Sequence, residues 1–124
     1  MRIASSLAVA LVLGACATPA ILTNRQMEFV RVHPELGDEG RQALVDRVIA
    51  PGQTLERVMV AWDGVRFEVA SHEPGGAVQS WQASVPLGGR SVKVRTAHGL
   101  EEIESGRVVL TFKNLQLFSW VRLE

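Results

Sequence analysis

The feature that most restricts this chain is a change of apolar period at Asp63-Gly64. Upstream, Leu55, Val58, Met59 and Trp62 fall at i, i+3, i+4 and i+7, one stripe of a helix. Downstream, Val65, Phe67 and Val69 alternate with Arg66, Glu68 and Ala70, the pattern of a half-buried strand. Helices first and strands afterwards define the α+β class. The expected architecture is two or three N-terminal helices packed on one face of a small antiparallel β-sheet of three to five strands.

The helical part divides at its prolines. Asn24 is a candidate cap for a short helix carrying Met27, Val30 and Arg31, which ends before Pro34 because a residue preceding proline avoids the α region. A second helix is expected from Pro34 to about Val48, with Leu36, Ala43, Leu44 and Val48 near helical spacing and Gly37 and Gly40 weakening its start. Ala50-Pro51-Gly52 is a break. Thr54 reads as the N-cap of the third helix, with Glu56 facing the positive end of the helix dipole.

Beyond Pro74-Gly75-Gly76, residues 78–85 with Trp81 read as a second strand, closed by Pro86-Leu87-Gly88-Gly89. Val92 and Val94 alternate with Lys93 and Arg95 in a short third strand with a basic outward face. Glu101, Glu102 and Glu104 follow close enough to pair with Arg90, Lys93 and Arg95, each exposed pair worth about 0–1 kcal/mol, but the simpler reading is a solvated hairpin. The strongest strand signal is at the end, where residues 107–112 and 115–123 flank Lys113-Asn114, since Asn tolerates the positive φ of a hairpin turn. With that turn, Phe112 faces Leu115. One face then collects Val108, Leu110, Phe112, Leu115, Leu117 and Val121 as core. The other collects Arg107, Val109, Thr111, Gln116, Phe118, Trp120 and Arg122.

The second face is rich in apolar surface for an outer face, and Trp with Arg is the composition of interface hot spots. Two readings of Arg107, Val109, Phe118, Trp120 and Arg122 stand side by side. They form a protein-binding patch, or residues 86–105 or the N-terminal helix cover them. Stacking of Arg107 on Trp120 fits both.

The amino end is an address. Arg2 supplies a positive start, and residues 3–13 form an uncharged, mostly apolar run, too short for the roughly 20 residues of a spanning helix. Leu13-Gly14-Ala15-Cys16 resembles the lipobox of bacterial lipoproteins. That resemblance implies a signal peptide of residues 1–15, cleavage between Ala15 and Cys16, and a diacylglycerol on the Cys16 thiol. Several acyl chains on one cysteine anchor stably, whereas one chain binds marginally. Ala17 is not the aspartate that retains such lipoproteins in the inner membrane, so the periplasmic face of the outer membrane is the expected location. Ala15-Cys16-Ala17 is also a literal A-x-A site, and cleavage after Ala17 would release a soluble periplasmic protein. Residues 16–23 are then the lipidated tether and 24–124 a single domain. All seven Phe and Trp residues lie beyond the signal, leaving that domain its aromatic core.

Chemistry is sparse. With 13 basic and 13 acidic side chains the chain lacks the footprint of a nucleic-acid binder. One cysteine excludes an internal disulfide and a multi-cysteine zinc site. His33, His72 and His98 are scattered without metal-ligand spacing, and His33 before Pro34 reads as a helix-end residue. Asp46 and Asp63 make no recognisable acid–base pair, and Gly75-Gly76 and Gly88-Gly89 are turns, not phosphate cradles. The expectation is a non-catalytic protein with no metal and no cofactor.

His33-Pro34-Glu35-Leu36, the Pro51-Gly52-Gln53-Thr54 break, the helix ending in Trp62, Trp81 and the final hairpin together resemble small SmpA/OmlA/BamE-like bacterial lipoproteins, over roughly residues 33–122. The chain departs from that pattern at Gln53, where methionine is common, at Asp63-Gly64-Val65, which lacks a proline, and in the extra length of residues 86–105. The resemblance implies two helices on one face of a small antiparallel sheet and an accessory role in outer-membrane protein assembly, with an envelope protein as partner. The alternative from another class is a periplasmic ligand-binding or enzyme-inhibiting module.

Overall fold

Thr23, not Asn24, starts the first helix. The Thr23 hydroxyl accepts from the Gln26 backbone N–H at 3.1 Å, and Gln26 Oε1 accepts from the Thr23 N–H at 3.0 Å, a reciprocal capping box. The structure is a computed structural model that describes residues 21–123. The signal segment 1–15, the Ala15–Cys16 cleavage site and the tether as far as residue 20 lie outside the described residues. Leu22 packs against the core and Thr23 caps the helix, so the end of the expected tether belongs to the folded body.

Helix α1, Asn24–Val32, ends at His33, whose φ of −128° leaves the helical region ahead of Pro34. Pro34–Leu36 is a single 3-10 turn, and α2 runs Gly37–Val45. The expected second helix is therefore split at Gly37, whose φ of +67° suits glycine, and stops short of Val48. Arg47 at φ +60° turns the chain into β1, Val48–Ile49. The third helix, α3, is Leu55–Ala61, with the Thr54 hydroxyl accepting from the Arg57 N–H at 3.2 Å.

The strands are β2 (Arg66–His72), β3 (Val78–Val85), β4 (Val92–Thr96), β5 (Gly99–Ile103), β6 (Gly106–Lys113) and β7 (Gln116–Leu123). They form two sheets: an antiparallel one in the order β2-β3-β6-β7, and a smaller one in the order β1-β4-β5, in which β1 and β4 are parallel. The class is α+β, as expected. Among the described residues, seven strands in two sheets replace the expected single sheet of three to five. The added layer is the β4–β5 hairpin of residues 86–105, which recruits β1. One core joins everything: Phe29 and Leu44 from α1 and α2, Val58 and Trp62 from α3 and its end, Val92, Val94 and Ile103 from the small sheet, and Val108, Leu110 and Phe112 from the large one.

Of the two readings of Glu101, Glu102 and Glu104, the solvated hairpin holds: all three are exposed, and none forms an ion pair with Arg90, Lys93 or Arg95 among the described residues. Arg90 Nη2 donates to Val45 O at 2.9 Å and Lys93 Nζ to Asp46 O at 3.3 Å, so both cations serve the C-terminal carbonyls of α2. Glu102 accepts from the Ser91 hydroxyl, and Glu101 reaches Arg122 at 3.9 Å.

Candidate functional site on the outer face of the last hairpin

The β6–β7 turn is built on Asn114 and Leu115, at φ 52° and 66°, and Lys113 pairs with Gln116. Positive φ at both central residues is the two-residue turn whose twist matches the strands. The turn is thus displaced by one residue from Lys113-Asn114, and Phe112 faces Leu117, not Leu115. A second irregularity follows: Thr111 pairs with Ser119, leaving Phe118 as the extra residue of a β-bulge.

That bulge re-sorts the hairpin. Because side chains alternate with period two, one extra residue sends everything after it to the opposite face. Trp120 pairs with Leu110, and Arg122 pairs with Val108, both on the core side. Trp120 is partly buried against the core, and Arg122 meets Glu101 of the small sheet at the rim. Of the five residues expected on one outer face, Arg107, Val109 and Phe118 remain there. Trp120 and Arg122 do not, and Arg107 cannot stack on Trp120 from the other side of the sheet.

Val121 and Leu123 take the vacated places. Val121, expected in the core, pairs with Val109 and is 60% exposed, and Leu115 in the turn is 51% exposed. Phe118 is 59% exposed, with Lys113 Nζ 4.3 Å from its ring centroid, and Leu123 is 37% exposed. The resulting surface is an apolar strip of Val109, Phe118, Val121 and Leu123, flanked by the cations of Arg107 and Lys113. Beside it, β3 and β6 present short polar groups, with Ser80 and Thr111 hydroxyls 3.2 Å apart. The sequence holds no signal for this rearrangement, since Leu117, Phe118, Trp120, Val121 and Leu123 put apolar residues in both phases.

Two buried polar side chains invite a functional reading but are fully engaged in structure. Gln26, fully buried, donates from Nε2 to Leu44 O and Val60 O at 3.1 Å and to Ala61 O at 3.3 Å, closing the C-terminal carbonyls of α2 and α3. Arg47, 5% exposed, donates from Nη1 to Asp63 O at 2.7 Å and from Nε to Ser91 O at 3.2 Å. Its own carbonyl accepts from Trp62 Nε1 and from the Lys93 N–H. Burial lowers the pKa of the Arg47 guanidinium, Arg90 adds to that, and Asp63 opposes it. The group remains a cation across the physiological range.

The histidines stay apart. His33 stacks on Phe29 with centroids 4.2 Å apart and lies 2.8 Å from Glu35 on an exposed helix end, while His72 and His98 sit in exposed β2 and turn positions. The Glu35 backbone N–H, and then the His33 ring, hold the Glu35 carboxyl below its usual range. Among the described residues no group of three or more His, Cys, Asp or Glu is placed to hold a metal, and no helix is long and apolar enough to cross a membrane. An open cleft of about 530 Å³ runs between α2 and β5, lined by Leu36, Val48 and Leu100 among its apolar residues and by Arg57, Arg95, Glu39 and Asp46 among its charged ones. Comparison of the chain with protein-family models, curated proteins and solved structures returns no match.

Proposed function

We propose that this protein is a lipid-anchored, non-catalytic binding module of the bacterial envelope, held through Cys16 at the periplasmic face of the outer membrane. The observation that carries this reading is the apolar strip of exposed Phe118, Val121 and Leu123 with half-buried Val109, rimmed by Arg107 and Lys113. A sheet with its core on one side normally shows polar residues on the other, and an exposed apolar patch edged by charge marks a contact surface. The partner is an envelope protein. The lipobox supports the location, and the likeness to SmpA/OmlA/BamE-like lipoproteins suggests a barrel-assembly complex. Confinement by the lipid raises the effective concentration of the strip toward such a partner.

The test is affinity capture of the full chain from detergent-solubilised membranes, with mass measurement of its N-terminal peptide. A lipidated Cys16, and a captured envelope protein that is lost from the Phe118→Glu variant, support the reading. An unmodified N-terminus, or capture indifferent to that change, contradicts it. The cleft between α2 and β5 favours a second reading, a ligand-binding or inhibitory module, because Arg57 and Arg95 line it without an ion pair among the described residues. An Arg57→Gln variant that retains envelope-protein capture separates the two.

A further inference from the structure

The β7 edge of the large sheet is already used once by this chain. Gly52 N–H donates to Leu117 O at 2.8 Å, Leu117 N–H to Gln53 O at 2.7 Å and Leu55 N–H to Leu115 O at 2.9 Å, with Thr54 bridged to Gln116. The edge accepts an added strand, and this cover stops at Leu117. In an antiparallel ladder, residues at non-hydrogen-bonded sites turn their backbone N–H and C=O away from the neighbour. Leu117, opposite Phe112, is such a residue, as its bonds to residues 52–55 show. Past the Phe118 bulge the same sites are Trp120, opposite Leu110, and Arg122, opposite Val108. Among the described residues, no backbone group from outside the sheet reaches either of them.

We infer that residues 119–123 pair with their own counterpart in a second copy of the chain, antiparallel about a two-fold axis at Val121. This goes beyond the envelope-partner reading and does not depend on it. In this register Trp120 of each copy lies opposite Arg122 of the other, and the outward N–H and C=O of all four residues close on one another. The contact is self-complementary, as a two-fold interface requires. Each facing pair sets a guanidinium beside an indole, a favourable cross-strand combination.

The neighbouring two-fold registers fail. An axis at Arg122 sets two guanidinium groups directly opposite, which is destabilising. An axis at Trp120 brings Arg122 of one copy onto the Phe118 bulge of the other, where the ladder is broken. The Val121 register stays within the regular stretch and clears the segment covered by residues 52–55. It also merges the two outer strips into one apolar band across eight strands.

Cysteine scanning of the full chain tests this, with the parent chain, which carries Cys16, as the blank and the bridged peptides identified by mass. At the axis, the two Val121 positions form a non-hydrogen-bonded pair with Cα atoms about 4.5 Å apart. That is within disulfide reach of about 4.4–6.8 Å. The two Leu123 positions stand on the order of 13 Å apart. Under mild oxidation Val121→Cys gives a 121–121 bridged dimer, and Leu123→Cys gives about tenfold less. Arg122→Pro removes an outward N–H and changes sedimentation of the otherwise unmodified protein from two chains to one, while Arg122→Lys, which keeps that N–H, stays at two. Equal bridging at both positions, no bridge at 121, or a parent chain that sediments singly overturns the inference, including the case in which another protein's strand occupies the edge.

Discussion

Gln26 and Phe118 invert the usual partition of side chains in opposite directions. Gln26 is a polar group fully buried among three helical segments, and its amide is spent on three backbone carbonyls: Leu44 O and Val60 O, which also accept from the Arg47 and Asp63 N–H, and Ala61 O. Phe118 is a large apolar group more than half exposed, touched by a lysine cation and ejected from the ladder by a bulge. The first inversion is closed: every bond Gln26 makes is internal, and removing it takes three bonds from the core and leaves the Ala61 carbonyl without a donor. The second is open, because Phe118 contributes little to the fold and keeps its surface available. Polarity out of place thus marks architecture in the helical half of this protein and an open apolar surface, the one proposed for contact, in the sheet half.

The sharpest way to break that contrast is at the buried end. Gln26→Leu should destabilise the protein by about 2–4 kcal/mol in urea unfolding, because it removes three buried hydrogen bonds and the capping box and strands the Ala61 carbonyl. Arg47→Met should fall in the same range of about 2–4 kcal/mol, since it releases the Asp63 and Ser91 carbonyls together. Trp120→Ala, now placed on the core side, should cost about 1–3 kcal/mol. Phe118→Ala should stay within about 0.5 kcal/mol of the parent while weakening partner capture. A Phe118 effect as large as that of Trp120 would erase the distinction between the two faces.

Smaller effects sharpen the hairpin itself. Leu115→Gly puts glycine at φ 66° and creates an Asn-Gly turn, so it should stabilise the fold by about 1 kcal/mol, read as a raised melting temperature. The smallest effect is electrostatic. The hydrogen bond and charge of Arg31 lower the pKa of the exposed Glu28 below its ordinary value of 4.5. A carboxyl depressed in the folded state contributes stability above its unfolded pKa, and that contribution is lost as pH falls through the depressed value. Glu28→Gln should therefore remove a shallow slope of melting temperature below pH 4.5 and leave neutral pH nearly unchanged.

Much of the frame was legible in the sequence because it rests on local signals. Thr54 capping α3, Asp63-Gly64 ending it, β3 over residues 78–85 and a terminal hairpin each follow from residue type and period. What escaped depends on contacts distant along the chain or on unfavourable local choices. β1 is two residues of parallel pairing with β4, too short to leave a period. β5, Gly-Leu-Glu-Glu-Ile, has no apolar alternation and is fixed by its partner. Asn114-Leu115 sets a leucine at positive φ, against its preference, so the turn was placed one residue early. The Phe118 bulge then moved Trp120 and Arg122 inward and Val121 outward, and a strand apolar in both phases cannot announce such a shift. The exposed apolar strip lies on the hairpin where the sequence pointed, with two of the five expected residues, Trp120 and Arg122, turned to the other side.

The most direct test compares the parent chain with Phe118→Glu/Val121→Glu in one experiment that records both partner capture from detergent-solubilised membranes and melting temperature. The strip described here predicts loss of the captured envelope protein with the melting temperature unchanged. Undiminished capture, or a collapse of the melting temperature, would show that the outer face of the last hairpin is not the working surface of this protein.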